Sequence, residues 1–60
     1  MKTTVLIEAL SKWGALKGFS LKDMCVRKPY KNKVDVKINK HLYHLTIDII
    51  KKTVIDENKK

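Results

Sequence analysis

The stretch from residue 18 to residue 33 constrains the fold most, because it contains a helix stop followed by a new helix start. Gly18 is typical of a helix end, and Ser20 is a good N-cap for a second helix. Pro29 disfavours helical geometry at the residue before it, so the second helix should end there and pass into a basic loop. We therefore expect a helix, a glycine turn, a short helix and a loop.

The loop lies in a strongly basic part of a basic chain. The sequence has 14 Lys and Arg residues against 6 Asp and Glu, a formal net charge of +8. Residues 10–40 alone contain nine of these cations and two of the anions. Such an excess indicates a polyanionic partner, which means nucleic acid, an acidic protein surface or an anionic membrane. The alternative is a lysine-rich surface that only keeps the protein soluble.

Size and cysteine content narrow the class of protein. Sixty residues make one domain with a small core and little room for a catalytic cleft. We expect residues 1–55 to form this domain and residues 56–60 to form a polar tail that frays. Cys25 is the only cysteine, so no internal disulfide can form. The sequence shows no signal peptide and no stretch long enough to cross a membrane, so we expect a cytoplasmic location without membrane binding.

The first helix should begin at Thr3 or Thr4 and end between Gly14 and Gly18. Its apolar residues recur at spacings of three and four, which is typical of an amphipathic helix. They are Val5, Leu6, Ala9, Leu10 and Trp13. A short strand over residues 3–7 is the alternative, because that segment is rich in β-branched residues.

Two later segments complete the predicted fold. Lys33–Ile38 alternates strictly between apolar and polar residues and reads as a strand with one buried side. Residues 41–55 fit an amphipathic helix capped by Asn39, and they also fit an alternating strand. We favour the helix because the segment is long and its polar residues segregate to one arc.

Together these elements predict an α+β fold, a small winged helix-turn-helix-like domain: helix–turn–helix, basic loop, short strand or hairpin, and C-terminal helix. Gly14, Gly18, Phe19 and Met24 fit the residue pattern of a helix-turn-helix, whereas Lys17 and Arg27 stand where apolar residues are usual. An ordinary helical hairpin is the alternative.

The predicted binding site is the basic segment with its neighbours. Lysines on a loop can neutralise phosphates, whereas a single arginine limits the reading of guanine, so sequence specificity should be modest. Tyr30 could pack on a sugar or donate to a phosphate; alternatively its ring covers the core. The predicted nucleic-acid-binding residues are Lys17, Ser20, Lys22, Arg27, Lys28, Tyr30, Lys31, Asn32, Lys33 and Lys37.

Other chemistry has little support in the sequence. His41, His44 and Asp48 would share a helix face, but three residues at these spacings are more typical of a solvated polar face than of a metal site. Cys25 has no motif that would make it a nucleophile and is expected to be a small buried residue. We found no paired carboxylates and no phosphate-binding loop, so we expect neither an enzyme, nor a metal, nor a cofactor.

Residues 7–24 and 32–52 resemble, in pattern, the small excisionases of phages and conjugative transposons. That resemblance implies a winged-helix fold of the MerR type in which the second helix enters the major groove of double-stranded DNA. It also implies side-by-side self-association, DNA bending and an integrase as partner. Lys22 and Arg27 would then lie in the groove, with Lys28, Lys31 and Lys33 on the wing.

Three readings of function follow. The first is a small basic DNA-binding protein, excisionase-like or a transcriptional regulator. The second is a phage-encoded basic inhibitor that binds an acidic, nucleic-acid-like surface of a host enzyme. A ribbon-helix-helix repressor, with Lys33–Ile38 as its strand, would need a second helix that residues 54–60 are too short to form.

Overall fold

The computed structural model describes residues 1–59, and for Lys28 it describes the backbone only. The chain begins with one helix, α1 (Thr3–Lys17), and continues through a short 3₁₀ turn at Leu21–Asp23. Four strands follow: β1 (Met24–Tyr30), β2 (Lys33–Ile38), β3 (His41–Asp48) and β4 (Thr53–Lys59).

The first helix is where the sequence predicts it. Its buried residues are Val5, Ala9, Leu10, Trp13 and Gly14. The helix ends at Gly18, whose backbone has a φ of 80° and whose N–H donates to the carbonyl of Gly14. Glycine adopts this left-handed conformation without a Cβ penalty, so it is suited to ending the helix there.

The four strands form one antiparallel sheet in the order β1-β2-β3-β4, in which each strand pairs with the next along the chain. Side chains alternate between the two faces of such a sheet. One face, the covered face, packs against α1 through six buried residues of the central strands, and the other face is open. The six are Val34, Val36, Ile38, Tyr43, Leu45 and Ile47.

Because consecutive strands run in opposite directions, the connections alternate between the two ends of the sheet. The β1–β2 turn and the β3–β4 turn lie at one end. The β2–β3 turn lies at the opposite end, together with the 3₁₀ turn that precedes β1. Each strand connection contains a residue with positive φ, namely Lys31 (55°), Asn39 (57°) and Lys52 (57°).

The β3–β4 turn is held by the carboxylate of Asp48. Its Oδ1 accepts hydrogen bonds from the backbone N–H groups of Ile50 and Lys51, both at 3.0 Å. A short acidic side chain commonly stabilises a turn in this way by bonding to the backbone just after it. The N–H of Lys52 closes the turn by donating to the Asp48 carbonyl at 2.7 Å.

The predicted winged helix-turn-helix with a C-terminal helix is wrong. The second helix is reduced to one 3₁₀ turn, and Met24 is already the first residue of β1. Residues 41–55 form β3, a turn and the start of β4, which is the strand reading of that segment. The alternation of β3 places Tyr43 opposite Val36 and Leu45 opposite Val34 of β2, over α1, whereas a second helix would have left β2 without that partner.

Two further expectations concern the ends and the membrane. The predicted polar tail, residues 56–60, falls instead in β4 as far as Lys59, and Lys60 lies outside the described residues. Within residues 1–59, no helix has the length and apolar character needed to cross a bilayer.

Candidate nucleic-acid interface

The turn that joins β1 to β2 carries the most exposed aromatic side chain of the protein. We call residues 30–33 the basic tip. Tyr30 pairs with Lys33 across the turn, and its side chain is 69% exposed. The ammonium Nζ of Lys31 lies 5.6 Å from the centroid of the Tyr30 ring, within the range of a cation–π contact. The alternative that Tyr30 covers the core is therefore wrong.

A β-bulge shapes the strand that leads to the basic tip. Arg27 pairs with Asp35 and Tyr30 with Lys33, so β1 has one more residue than β2 between these pairs. Lys28 and Pro29 lie between these two pairs in β1, where β2 has the single residue Val34. A bulge increases local twist, and proline cannot donate a hydrogen bond to another strand. Both features protect the β1 edge from pairing with another chain and leave the tip available for a different contact.

The cations near the tip have no acidic partner in the described structure. Three ion pairs join described side chains: Lys12 with Glu8, Lys17 with Glu57, and His44 with Asp35. None of them includes Arg27, Lys31, Lys33 or Lys37. Asp35 is the acid nearest to Arg27 in register, and it is engaged by Nδ1 of His44 at 2.7 Å.

A second basic turn lies at the same end of the sheet as the tip. This adjacent turn, residues 49–52, contains Lys51 and Lys52, both exposed. The carbonyl of Asn32 accepts a hydrogen bond from the N–H of Ile47 at 2.8 Å, which ties the tip to the last part of β3. The predicted helix over residues 41–55 concealed these two lysines. The signal for a turn was Asp48, because a short acidic side chain commonly bonds to the backbone just after it.

The structure brings together only part of the predicted site. Arg27, Tyr30, Lys31, Asn32 and Lys33 gather at or next to the tip, and the side chain of Lys28 lies outside the described part. Lys37 is exposed on the open face, farther from the tip.

The predicted site residues that precede β1 are at other places. Ser20 and Lys22 lie at the opposite end of the sheet, one strand length or about 20 Å from the tip. Ser20 makes no side-chain capping hydrogen bond there. Lys17 lies at the end of α1, where its Nζ is 2.9 Å from Oε1 of Glu57. The recognition helix that would have united these residues does not exist.

Glu57 links α1 to β4 and serves a structural purpose. The same Oε1 accepts a hydrogen bond from Nε1 of the buried Trp13 at 3.1 Å. The bonds from Lys17 and then from Trp13 lower the pKa of Glu57, because both favour its charged form. An open groove of about 320 Å³ lies beside this contact, lined by Leu16 and Val54 among others.

The remaining candidates for chemistry are dispersed. Residues 41–48 form a strand, so the helix face that His41, His44 and Asp48 were predicted to share is not formed. His44 instead bonds Asp35, and Asp48 holds a turn. No group of three metal-ligating side chains occurs within the described residues. Cys25 is exposed on the open face of β1 and is not the buried residue that we expected.

Comparison of the chain with models of known protein families, with curated proteins and with solved structures finds no match. Its function must therefore be inferred from its own geometry.

Proposed function

We propose that this chain is a small nucleic-acid-binding protein that holds the phosphate backbone with its basic tip and the adjacent turn. The observation that carries the proposal is the basic tip itself, where exposed Lys31 and Lys33 have no acidic partner among the described side chains. Residues 30–33 and 48–52 contain four lysines and one acid, Asp48, whose Oδ1 is bonded to the backbone of its own turn. The opposite end holds Lys22, Lys40 and Lys59 with one aspartate, Asp23, and among the described residues no Tyr, Phe or Trp is exposed there.

The chemistry of lysine fits a phosphate backbone. An exposed ammonium is a strongly hydrated point charge that neutralises a phosphate and releases condensed counterions, which makes binding depend steeply on salt. Phosphate contacts of this kind position a protein and do not read sequence. Arg27 is the only arginine in the sequence, so modest sequence specificity is expected.

The proposal replaces the predicted recognition helix with a hairpin. The excisionase-like and regulatory roles expected from the sequence depended on a helix that enters the major groove, and the order of elements behind that resemblance is not the order in the fold. What supports nucleic acid as the partner is the net charge of +8 together with tip lysines that lie outside the ion pairs of the described residues.

Two variants of equal charge test the location of the site. Lys31→Gln with Lys33→Gln removes two cations from the basic tip, and Lys22→Gln with Lys40→Gln removes two exposed cations from the opposite end. Binding of a labelled 20-nucleotide strand is followed by fluorescence anisotropy from 20 to 200 mM salt. We expect the tip variant to bind about tenfold more weakly at low salt, with a salt slope smaller by about 1.5. The opposite-end variant should lose less than about threefold, by the same argument.

Either of two results would overturn the proposal. Equal losses from the two variants would show a diffuse charge effect without a site. Failure of the unmodified protein to bind any strand or duplex at low salt would exclude nucleic acid, and an affinity pull-down should then recover an acidic protein, as the inhibitor hypothesis requires.

A further inference from the structure

We infer that the nucleic acid held by the basic tip is single-stranded and that one of its unpaired bases stacks on the ring of Tyr30. The inference rests on the proposed function and specifies its substrate class. Its basis is the aromatic ring of Tyr30, which does not pack in the core.

Tyr30 contributes nothing to the core. Trp13, Phe19 and Tyr43 form one aromatic cluster, with ring centroids 5.3 to 6.0 Å apart. Trp13 and Tyr43 are buried, whereas Tyr30 belongs neither to that cluster nor to the residues packed against the core. Tyr30 is 69% exposed, so its ring is open to a partner. Leu16 and Ile50 are also exposed, so it is the aromatic ring together with its neighbouring cations that distinguishes Tyr30.

The surroundings of the ring match the two parts of a nucleotide. Lys31 places an ammonium 5.6 Å from the ring centroid, and Lys33 is the register partner of Tyr30 across the turn. Nζ of Lys31 lies over one face of the ring, so a base can stack on the other face while the two lysines hold the neighbouring phosphates. Proteins that bind single strands combine these same two elements, a basic track and an aromatic platform.

A duplex fits this combination of an exposed ring and neighbouring cations less well than a single strand does. The base faces of a duplex are hidden in the stack, so an exposed ring has nothing to stack on unless a base is displaced. Reading base edges in the major groove depends mainly on arginine and on amide side chains. The tip offers only Asn32 for that purpose, and Asn32 is half-buried in the turn.

The test compares Tyr30→Ala and Tyr30→Phe with the unmodified protein on three labelled probes: a 12-nucleotide oligothymidylate, a 12-nucleotide oligouridylate and a 12-base-pair duplex. We expect the unmodified protein to prefer at least one single strand to the duplex at equal salt. Tyr30→Ala should weaken that binding about tenfold, and Tyr30→Phe should retain it, because stacking needs the ring and not the hydroxyl. Binding of the duplex should be nearly unchanged in both variants.

The salt dependence separates stacking from charge. Tyr30→Ala removes no cation, so its salt slope should equal that of the unmodified protein, unlike the slope of the tip lysine variant. The two single-stranded probes tell whether DNA or RNA is preferred. Circular dichroism should show an intact fold, because Tyr30 is outside the core.

The inference and the proposed function fail in different ways. If Tyr30→Ala binds single strands as tightly as the unmodified protein while Lys31→Gln with Lys33→Gln weakens binding, stacking is excluded and the basic site remains. The same applies if the duplex binds more tightly than both single strands. If neither the tyrosine nor the lysine variant differs from the opposite-end control, both proposals are wrong.

Discussion

The two ends of the sheet use aromatic side chains in opposite ways. Towards the end that holds the 3₁₀ turn, Trp13, Phe19 and Tyr43 pack on one another beneath α1, and Trp13 also bonds Glu57. At the other end, Tyr30 projects into solvent beside Lys31. One end therefore contributes to stability, and the other is available for binding.

Under the proposed function, the aromatic cluster stabilises the fold of this 60-residue chain and the basic tip binds the partner. A domain of this size has a small core, and nine of its large apolar or aromatic residues are exposed, Tyr30 among them. Placing a tyrosine at a turn next to lysines forgoes part of that limited apolar burial. Such a placement is easier to explain by contact with a partner than by packing.

The largest expected effect is the contrast between the two tyrosines. Tyr43→Ala should lower the free energy of unfolding by about 3 kcal/mol, because it leaves a cavity beneath Trp13 and Phe19. Tyr30→Ala should change it by less than about 0.5 kcal/mol, as expected for an exposed side chain. Urea denaturation measures both values, and similar values for the two variants would refute the contrast.

A smaller effect is expected at the contact between α1 and β4. Glu57→Ala should lower the free energy of unfolding by about 1 to 2 kcal/mol, because the buried Trp13 N–H loses its acceptor. Glu57→Gln is the matched control, since its amide oxygen can still accept from Trp13 while the ion pair with Lys17 is lost. It should cost less than about 1 kcal/mol, as exposed ion pairs do. A greater loss from Gln than from Ala would contradict this assignment.

The smallest effect is a pH dependence of the same contact. The bonds from Lys17 and Trp13 lower the folded-state pKa of Glu57 below its ordinary value of 4.5. A lowered pKa means that the stabilisation is complete above the pKa of the unfolded chain and is lost as the pH falls through the folded value. The stability difference between the unmodified protein and Glu57→Gln should therefore shrink below about pH 4. If the stability difference grew on acidification, the folded-state pKa of Glu57 would be raised and not lowered, and this prediction would be wrong.

Local sequence patterns predicted three parts of the molecule correctly. The apolar spacing of residues 5–13 marked α1, Gly18 marked its end, and strict alternation marked β2. The basic segment around Tyr30 also gathers at one place, although on a hairpin and not on a loop behind a recognition helix. These features depend on neighbours along the chain, so they could be inferred without knowledge of tertiary contacts.

The errors arose where tertiary pairing decides between two local patterns. Residues 41–55 satisfy both a helical and an alternating pattern, and pairing with β2 selected the strand. The segment after Ser20 has a helix-start signal, but β1 pairs with β2 instead, on both sides of the bulge at Lys28 and Pro29. Because the predicted helix put Lys51 and Lys52 on its polar arc, the adjacent turn could not be recognised as part of the site.

The most direct test of the basic tip is a titration of the isotope-labelled protein with a 12-nucleotide single strand, followed through its backbone amide NMR signals. The proposed function predicts that the largest shift changes fall on residues 30–33 and on Lys51 and Lys52, with little change at Lys22 and Lys40. Largest changes at Lys22, Lys40 and the rest of the opposite end, or uniform small changes over the whole surface, would contradict it.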